Sequence, residues 1–244
     1  MKRFRLLKIF TFLFVIGCLL ICGVYLFSYF SPPIKLNTAN SYYIFDNKDN
    51  IIFAGSNNNE WVQLKDIDPD FIDYIINVED QYFYYHKGFD ILRILKSIVL
   101  NIKNKEIVAG ASSISQQYVK NLYLSFDKTW ERKIEEAFLT VRLETHYSKD
   151  EILEGYLNTI YFGNGIYGIK DASKYYFNKD IKDISMEEAI ILAGIPKSPN
   201  NYNPINNLNA SLKRARIVAD VLLNNEIISI NNYTKEELKY LSKN

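Results

Sequence analysis

Residues 78–90, VEDQYFYYHKGFD, decide how the rest of the chain is interpreted. If the stretch is helical up to about His86, then Glu79, Phe83 and His86 fall at i, i+4 and i+7. A carboxylate, an aromatic ring and an imidazole then share one face of the helix, and Gly88 ends it. Aromatic neighbours tend to exclude water from Glu79, which suits a catalytic acid or base. The alternative is a solvated glutamate on a surface helix.

Composition limits the classes of function that the chain can have. It has 244 residues, enough for one membrane anchor and one domain of ordinary size, and a net charge of +1. No strongly basic arm follows the first few residues, so the sequence argues against a nucleic-acid partner. Cys18 and Cys22 both lie in the apolar N-terminal run, and the histidines are His86 and His146. We therefore expect no disulfide, no cysteine nucleophile and no Cys- or His-rich metal site in the domain.

The N-terminal segment predicts a membrane anchor. No charged residue lies between Lys8 and Lys35, and residues 9–30 at ~1.5 Å per residue can cross a hydrocarbon layer of roughly 30 Å. The four basic residues of the segment 1–8 predict a cytoplasmic N-terminus and an extracytoplasmic domain in the cell membrane. A cleaved signal peptide and a lipobox at residues 15–18 (VIGC) are the alternatives, and the long apolar run beyond Cys18 argues against both.

The remaining chain predicts a mainly α-helical domain. After a linker at 31–41, the runs 42–45 and 51–54 flank a turn-rich spacer and predict a β-hairpin. Four capping boxes predict helix starts: Ser113 with Gln116, Ser148 with Glu151, Ser185 with Glu188 and Thr234 with Glu237. An apolar stripe on one predicted helix consists of Leu153, Tyr156, Leu157 and Ile160. The domain is placed at 42–225, with a C-terminal helical tail at 226–244.

Three further segments carry polar or charged clusters. The first, residues 110–121 (GASSISQQYVKN), is a small-residue loop that leads into a helix whose N–H groups could attract phosphate or sugar oxygens, or that is simply capped by Ser113. The second, residues 128–136 (KTWERKIEE), has the spacing of a charged helix face. The third, residues 149–169, carries the apolar stripe and the Gly163-Asn164-Gly165 turn.

Together with residues 78–90, these segments resemble the peptidoglycan glycosyltransferase family, the transglycosylase domain of class A penicillin-binding proteins and monofunctional transglycosylases. The family pattern EDxxFxxHxG is matched by Glu79, Asp80, Phe83, His86 and Gly88. The pattern GGSTxTQQxxKN is matched by Gly110, Ser112, Gln116, Gln117, Lys120 and Asn121, with Ala111, Ser113 and Ser115 as small departures. The pattern RKxxE is matched by Arg132, Lys133 and Glu136, and KxxILxxYLN by Lys149, Ile152, Leu153, Tyr156, Leu157 and Asn158.

The resemblance implies a lysozyme-like helical fold with a smaller jaw subdomain and an activity that polymerises lipid II. Glu79 is then the general base and Glu136 the second acid, which organises the nearby cations. The implied substrate-binding residues are Asp80, Phe83, His86, Ser112, Gln116, Gln117, Lys120, Asn121, Lys128, Arg132 and Lys133. The expected partners are lipid II, undecaprenyl-pyrophosphate-linked glycan and the membrane, with a transpeptidase or division complex left open. No cofactor is assigned, and a divalent cation, Mg²⁺ or Mn²⁺, stays an alternative at Glu136.

Two other functions remain as rivals. A lysozyme-like glycan hydrolase also uses two carboxylates, but it must protonate a departing sugar oxygen and needs no dense cationic cluster. An inactive cell-wall scaffold would be expected to have lost Glu79 or Glu136, and the sequence has both. No SxxK-type serine motif of a transpeptidase follows the domain, so we expect a monofunctional enzyme.

Overall fold

The chain is mainly helical, which confirms the predicted fold class. The structure is a computed structural model and describes residues 2–36, 42–45, 51–55, 61–106, 110–124 and 129–229, with only the backbone for 2–7, 42–45 and 51–55. The helices are α1 (Lys2–Phe30), α2 (Pro69–Glu79), α3 (Ile91–Asn104), α4 (Ile114–Tyr123), α5 (Trp130–His146), α6 (Lys149–Thr159), α7 (Ile169–Phe177), α8 (Met186–Gly194) and α9 (Leu208–Asn224). The strands are β1 (Tyr42–Phe45), β2 (Ile51–Gly55), β3 (Tyr161–Gly163) and β4 (Ile166–Tyr167).

Helix α1 is the predicted apolar anchor. Its segment Lys8–Phe30 has the length and composition of a membrane span, and none of its most apolar window is buried. The end of α1 is fixed to the domain through α5: the rings of Phe27 and Phe138 lie 5.7 Å apart, and His146 Nε2 is 2.8 Å from the carbonyl of Ser28. Because these contacts involve the last turn of α1, the domain packs directly against the C-terminal end of the candidate span.

Two antiparallel hairpins accompany the helices. In the first, β1 pairs with β2, as the sequence predicts, with Tyr42 opposite Gly55. In the second, β3 pairs with β4 around Asn164 and Gly165, which both have positive φ angles. A Cβ atom at Gly163 would lie 2.7 Å from the carbonyl oxygen of Pro199, so the backbone there requires glycine.

The predicted helix starts are formed where the structure describes them. Ser113, Ser148 and Ser185 each accept a hydrogen bond from the backbone N–H three residues later, and the Gln or Glu side chain at that position accepts one from the backbone N–H of the serine. Each box satisfies two N–H groups that would otherwise lack a partner at the helix end. The fourth predicted box, in the tail at 226–244, lies outside the described residues.

The core lies between α4, α5 and α6 on one side and α2, α8 and α9 on the other. The predicted apolar stripe on α6 is buried, with Leu153, Tyr156 and Leu157 fully so. Helix α4 approaches α6 closely, because a Cβ atom at Gly155 would lie 2.2 Å from the hydroxyl oxygen of Tyr118. This close packing fixes the position of α4, which carries the polar side chains described below.

Helix α2 ends at Glu79, so the prediction that it continues to His86 is wrong. Asp80 leaves the helical conformation with φ −161° and ψ 70°, and residues 81–88 form turns. The physical reason is tertiary: both carboxylate oxygens of Asp80 bind groups outside α2. The shared face of Glu79, Phe83 and His86 therefore does not exist. Gly88 has a positive φ of 87° in the following turn.

Candidate active site

Glu79 is a buried carboxylate at the end of α2, with 6% of its surface exposed. Gln117 on α4 donates from Nε2 to Glu79 Oε2 at 2.9 Å. The guanidinium of Arg93 on α3 donates to the backbone carbonyl of Glu79. Glu79 is thus held by a neutral donor at its side chain and by a cation at its backbone, and its carboxylate keeps the capacity to take a proton.

Asp80 connects the end of α2 to the start of α4. Its Oδ1 lies 2.9 Å from His86 Nε2, and its Oδ2 accepts a hydrogen bond of 2.9 Å from the backbone N–H of Ile114. Arg93 contributes a longer ion pair of 3.9 Å. Asp80 is fully buried, so the anion at this helix N-terminus is the protein's own carboxylate. The sequence led us to expect that the N–H groups of this helix start attract phosphate. For Ile114 that expectation is wrong, because its N–H donates to Asp80.

Phe83 and His86, both predicted to bind substrate, occupy framework positions. The ring of Phe83 is fully buried, with Tyr84 at 5.2 Å and His86 at 6.4 Å between ring centroids. Lys149 lies over the Phe83 ring at 4.3 Å. Direct substrate contact by either residue stays a prediction, and both pack around the turn that follows Glu79.

Glu136 on α5 is the second buried carboxylate, with 2% exposure, and it accepts three side-chain hydrogen bonds. Gln116 Nε2 and an Arg132 guanidinium nitrogen each donate at 3.0 Å, and the Lys133 ammonium also donates. Lys133 reaches Ser112 Oγ as well, at 3.2 Å. The predicted Arg-Lys-Glu motif and Ser112 are therefore brought together in one cluster.

Two consecutive glutamines on α4 each bond a different one of the two acids. Gln116 bonds Glu136 and Gln117 bonds Glu79, and successive side chains on a helix point about 100° apart. Lys120, one turn further along α4, interacts with the charges of both acids. Burial lowers the pKa of the Lys120 ammonium, while the nearby charges of Glu136 and, more weakly, Glu79 raise it. Helix α4 thus connects the cluster around Glu136 to Glu79.

Of the predicted substrate-binding residues, Asn121 and Lys128 remain. Asn121 is half-buried near the end of α4. Lys128 lies outside the described residues. Sequence reasoning assigned Tyr156 to the core, which is correct, but missed that its hydroxyl donates to Gln117 Oε1 at 3.4 Å. No sequence pattern signals that contact, because the two residues are 39 positions apart.

The donors around Glu136 do not suit a divalent cation. Mg²⁺ and Mn²⁺ take oxygen ligands, whereas both oxygens of this carboxylate already accept from Gln116, Arg132 and Lys133. Within the part of the chain that the structure describes, no group of three or more His, Cys, Asp or Glu residues could hold a metal. A metal role for Glu136 stays a prediction.

Comparison with known proteins gives matches over most of the chain. The model of the family described as Transglycosylase matches residues 48–223. Penicillin-binding protein 2D of Bacillus subtilis (strain 168) is 48% identical over 183 residues, which are 74% of this chain and 26% of that protein. Penicillin-binding protein 1A of Streptococcus oralis is 34% identical over 234 residues, which are 93% of this chain and 37% of that protein.

Among solved structures, the crystal structure of penicillin-binding protein 1A from Haemophilus influenzae matches with a TM-score of 0.41 and 20% identity. The match covers 87% of this chain and 21% of that one. The chain spans about a quarter of the length of the Bacillus relative and somewhat more than a third of the Streptococcus relative.

Proposed function

The chain belongs to the transglycosylase family, and from that premise we propose that it is a peptidoglycan glycosyltransferase that polymerises lipid II. The observation that supports this most is the pair of buried acids in unlike surroundings. Glu79 is bonded by a neutral amide, and Glu136 is bonded by an arginine and a lysine. A transfer from a pyrophosphate donor to a sugar hydroxyl needs both kinds of environment.

Glu79 is the proposed general base. It accepts the proton of the 4-hydroxyl of the acceptor N-acetylglucosamine as that oxygen attacks the anomeric carbon of the donor glycan. The bond from that carbon to the pyrophosphate oxygen breaks, the electron pair leaves with undecaprenyl pyrophosphate, and the configuration inverts. Positioned base catalysis of this kind contributes roughly 10²- to 10⁴-fold in rate.

The cationic cluster is the proposed site of the leaving group. Pyrophosphate needs its negative charge neutralised more than it needs a proton, and arginine suits it because the guanidinium can bind two oxygens at once. Arg132, Lys133 and Lys120 carry three positive charges against the two negative charges of Glu136 and Glu79, so these five groups together have a net positive charge. Glu136 holds these cations in place rather than acting as an acid.

The hydrolase alternative is less well supported by the geometry. A glycan hydrolase requires a carboxylic acid that gives its proton to the departing sugar oxygen. Glu136 could do so only by giving up hydrogen bonds from Lys133, Arg132 or Gln116. The surplus of cations around it would also have no task in a reaction whose leaving group is neutral.

The proposed substrate is lipid-linked, so the site and the anchor must share one bilayer, at its outer leaflet. Helix α3 supports a second membrane contact because it exposes a continuous set of large apolar side chains: Ile91, Leu92, Leu95, Ile98, Val99, Leu100 and Ile102. Lys96 is exposed on the same helix and could meet anionic headgroups. Arg93, on the same helix, instead bonds the backbone carbonyl of Glu79.

The names of the relatives suggest partners in cell-wall synthesis, and we propose a transpeptidase or division complex as the setting in which the chain works. The direct test of the function is incubation of the purified full chain with lipid II, followed by gel analysis of the products. Long glycan strands are expected from the wild type. Short fragments released from preformed peptidoglycan, without strand synthesis, would favour the hydrolase instead.

A further inference from the structure

Gln117 stands between a buried tyrosine and the proposed base. Its Nε2 donates to Glu79 Oε2 at 2.9 Å, and its Oε1 accepts from the Tyr156 hydroxyl at 3.4 Å. The three side chains come from α4, α2 and α6, so the chain of contacts links three helices at the site.

The direction of these hydrogen bonds follows from the chemistry of the end groups. An ionised Glu79 only accepts, so the Gln117 amide must turn its NH₂ group toward it. The amide oxygen then faces Tyr156, which can donate. Tyr156 is fully buried, and burial raises the pKa of its hydroxyl well above the usual value. It therefore stays protonated and keeps the amide in one orientation at every pH of interest.

The two ends of this chain of contacts differ in their place in the fold. Gln117 and Tyr156 lie on helices that pack closely at Gly155, where no side chain fits against Tyr118. Glu79 is the last residue of α2, and the chain leaves the helical conformation at Asp80. The closely packed pair is thus placed to hold the carboxylate at the helix end.

We propose that Gln117 is a positioning residue for Glu79, that Tyr156 fixes the Gln117 amide, and that Gln117 does not hold substrate. This inference rests on the proposed function of Glu79 as the base, and it differs from the sequence-based prediction, which placed Gln117 among the substrate-binding residues. A positioning residue acts on the chemical step, whereas a substrate-binding residue acts on affinity, so the two roles are separable by kinetics.

Gln117→Met is the main test, because methionine is similar in length and offers no amide. We expect kcat to fall roughly 10- to 100-fold, which is the strength of one hydrogen bond to a charged group, with KM nearly unchanged. The acidic limb of the kcat profile should move to higher pH, since the ionised carboxylate has lost a donor. Gln63→Met is the matched control: Gln63 is exposed and makes no side-chain cap contact, so its variant should behave like the wild type.

Tyr156→Phe is the second variant. It leaves Gln117 and Glu79 in place and removes only the hydroxyl that orients the amide, so the same changes are expected with a smaller size. If Gln117→Met cannot be purified in folded form, Tyr156→Phe decides the question with the same measurements. A raised KM with unchanged kcat and pH profile in either variant would show that Gln117 binds substrate and would overturn the proposal.

A measurement without substrate separates this inference from the proposed function. The carboxylate of Glu79 can be followed by carboxyl ¹³C NMR of the full chain in detergent, with Glu79→Gln to assign the signal. We expect the Glu79 signal to move in Gln117→Met, because the carboxylate has lost its amide donor, and to stay in place in Gln63→Met. A wild type that makes no glycan from lipid II would overturn the function alone. An unmoved Glu79 signal in Gln117→Met would overturn the positioning role, whatever the activity.

Discussion

Helix α5 carries two buried glutamates eight residues apart, and their surroundings differ in charge. Glu144 accepts from the Ser115 hydroxyl and from Lys149 at 2.6 Å, and only 13% of that lysine side chain is exposed. Glu136 accepts from Gln116, Arg132 and Lys133, and 41% of the Lys133 side chain is exposed. One acid is matched by a single enclosed cation, and the other by more cations than it can neutralise.

The difference separates a structural acid from the acid of the proposed leaving-group site. A balanced, enclosed pair leaves no charge for a ligand and connects α5 to α4 and α6, so its function is to hold helices together. A buried acid with surplus, partly exposed cations keeps a positive field that an anion can use. Burial of a glutamate alone would not have distinguished the two.

The largest effect on stability is expected from Glu144→Ala. It leaves Lys149 enclosed without its partner, and breaking a buried ion pair in this way costs about 3–5 kcal/mol of unfolding free energy. Chemical denaturation of the purified domain measures it. The matched control is Asp66→Ala, which breaks the exposed pair with Lys182 and should cause no measurable loss. Glu136→Ala should destabilise less than Glu144→Ala, because Lys133 can turn to solvent. Equal losses for both glutamates would remove the distinction.

The largest effect on activity is expected from Glu79→Gln. The amide keeps the shape of the side chain and removes the base, so polymerisation should fall at least ~10²-fold with thermal stability near that of the wild type. Strand synthesis from lipid II and a thermal melt measure the two quantities.

Asp80→Asn is the comparison variant, because Asp80 is a buried acid with structural contacts that directly follows the proposed base. It weakens the contacts to His86 and to the start of α4, so stability and activity should fall together. Near wild-type polymerisation by Glu79→Gln would mean that the base has been assigned to the wrong residue.

A smaller effect is expected from charge reversal in the cationic cluster. Arg132→Glu should weaken donor binding about tenfold more than Arg132→Ala, since it adds a repulsive charge as well as removing an attractive one. The same order should hold for Lys120→Glu and Lys120→Ala. Binding of a donor analogue at low and high salt measures it, with helicity checked by circular dichroism. If Glu and Ala variants bound equally, the phosphate site would lie elsewhere.

The smallest effect is a pH dependence that Lys120 contributes. Burial lowers its pKa from the usual 10.5, so donor binding should weaken on the alkaline side at a lower pH than in Lys120→Arg. Stability moves in the opposite direction. Between the folded pKa and 10.5 the unfolded state binds more protons, so the contribution of Lys120 to the unfolding free energy rises with pH there. Identical alkaline binding profiles for wild type and Lys120→Arg would contradict this assignment.

The sequence by itself determined the features that depend on local pattern. The apolar length of α1 marks it as a candidate span whatever its tertiary contacts. Three helix starts could be predicted from Ser113, Ser148 and Ser185, because a capping box involves only four consecutive residues. The motifs also placed Glu79 and Glu136 in one site, and the structure connects both to α4.

Only the tertiary structure decided where α2 ends and which glutamine of α4 bonds which acid. The helix stops at Glu79 because the partners of Asp80 are His86, in the turn beyond the helix, and the backbone of Ile114 on α4. Gln116 and Gln117 are alike in sequence, yet one bonds the acid in the cationic cluster and the other bonds the proposed base. That assignment depends on how α4 is rotated between α5 and α6, which is set by close packing between residues far apart in the chain, such as Tyr118 against Gly155.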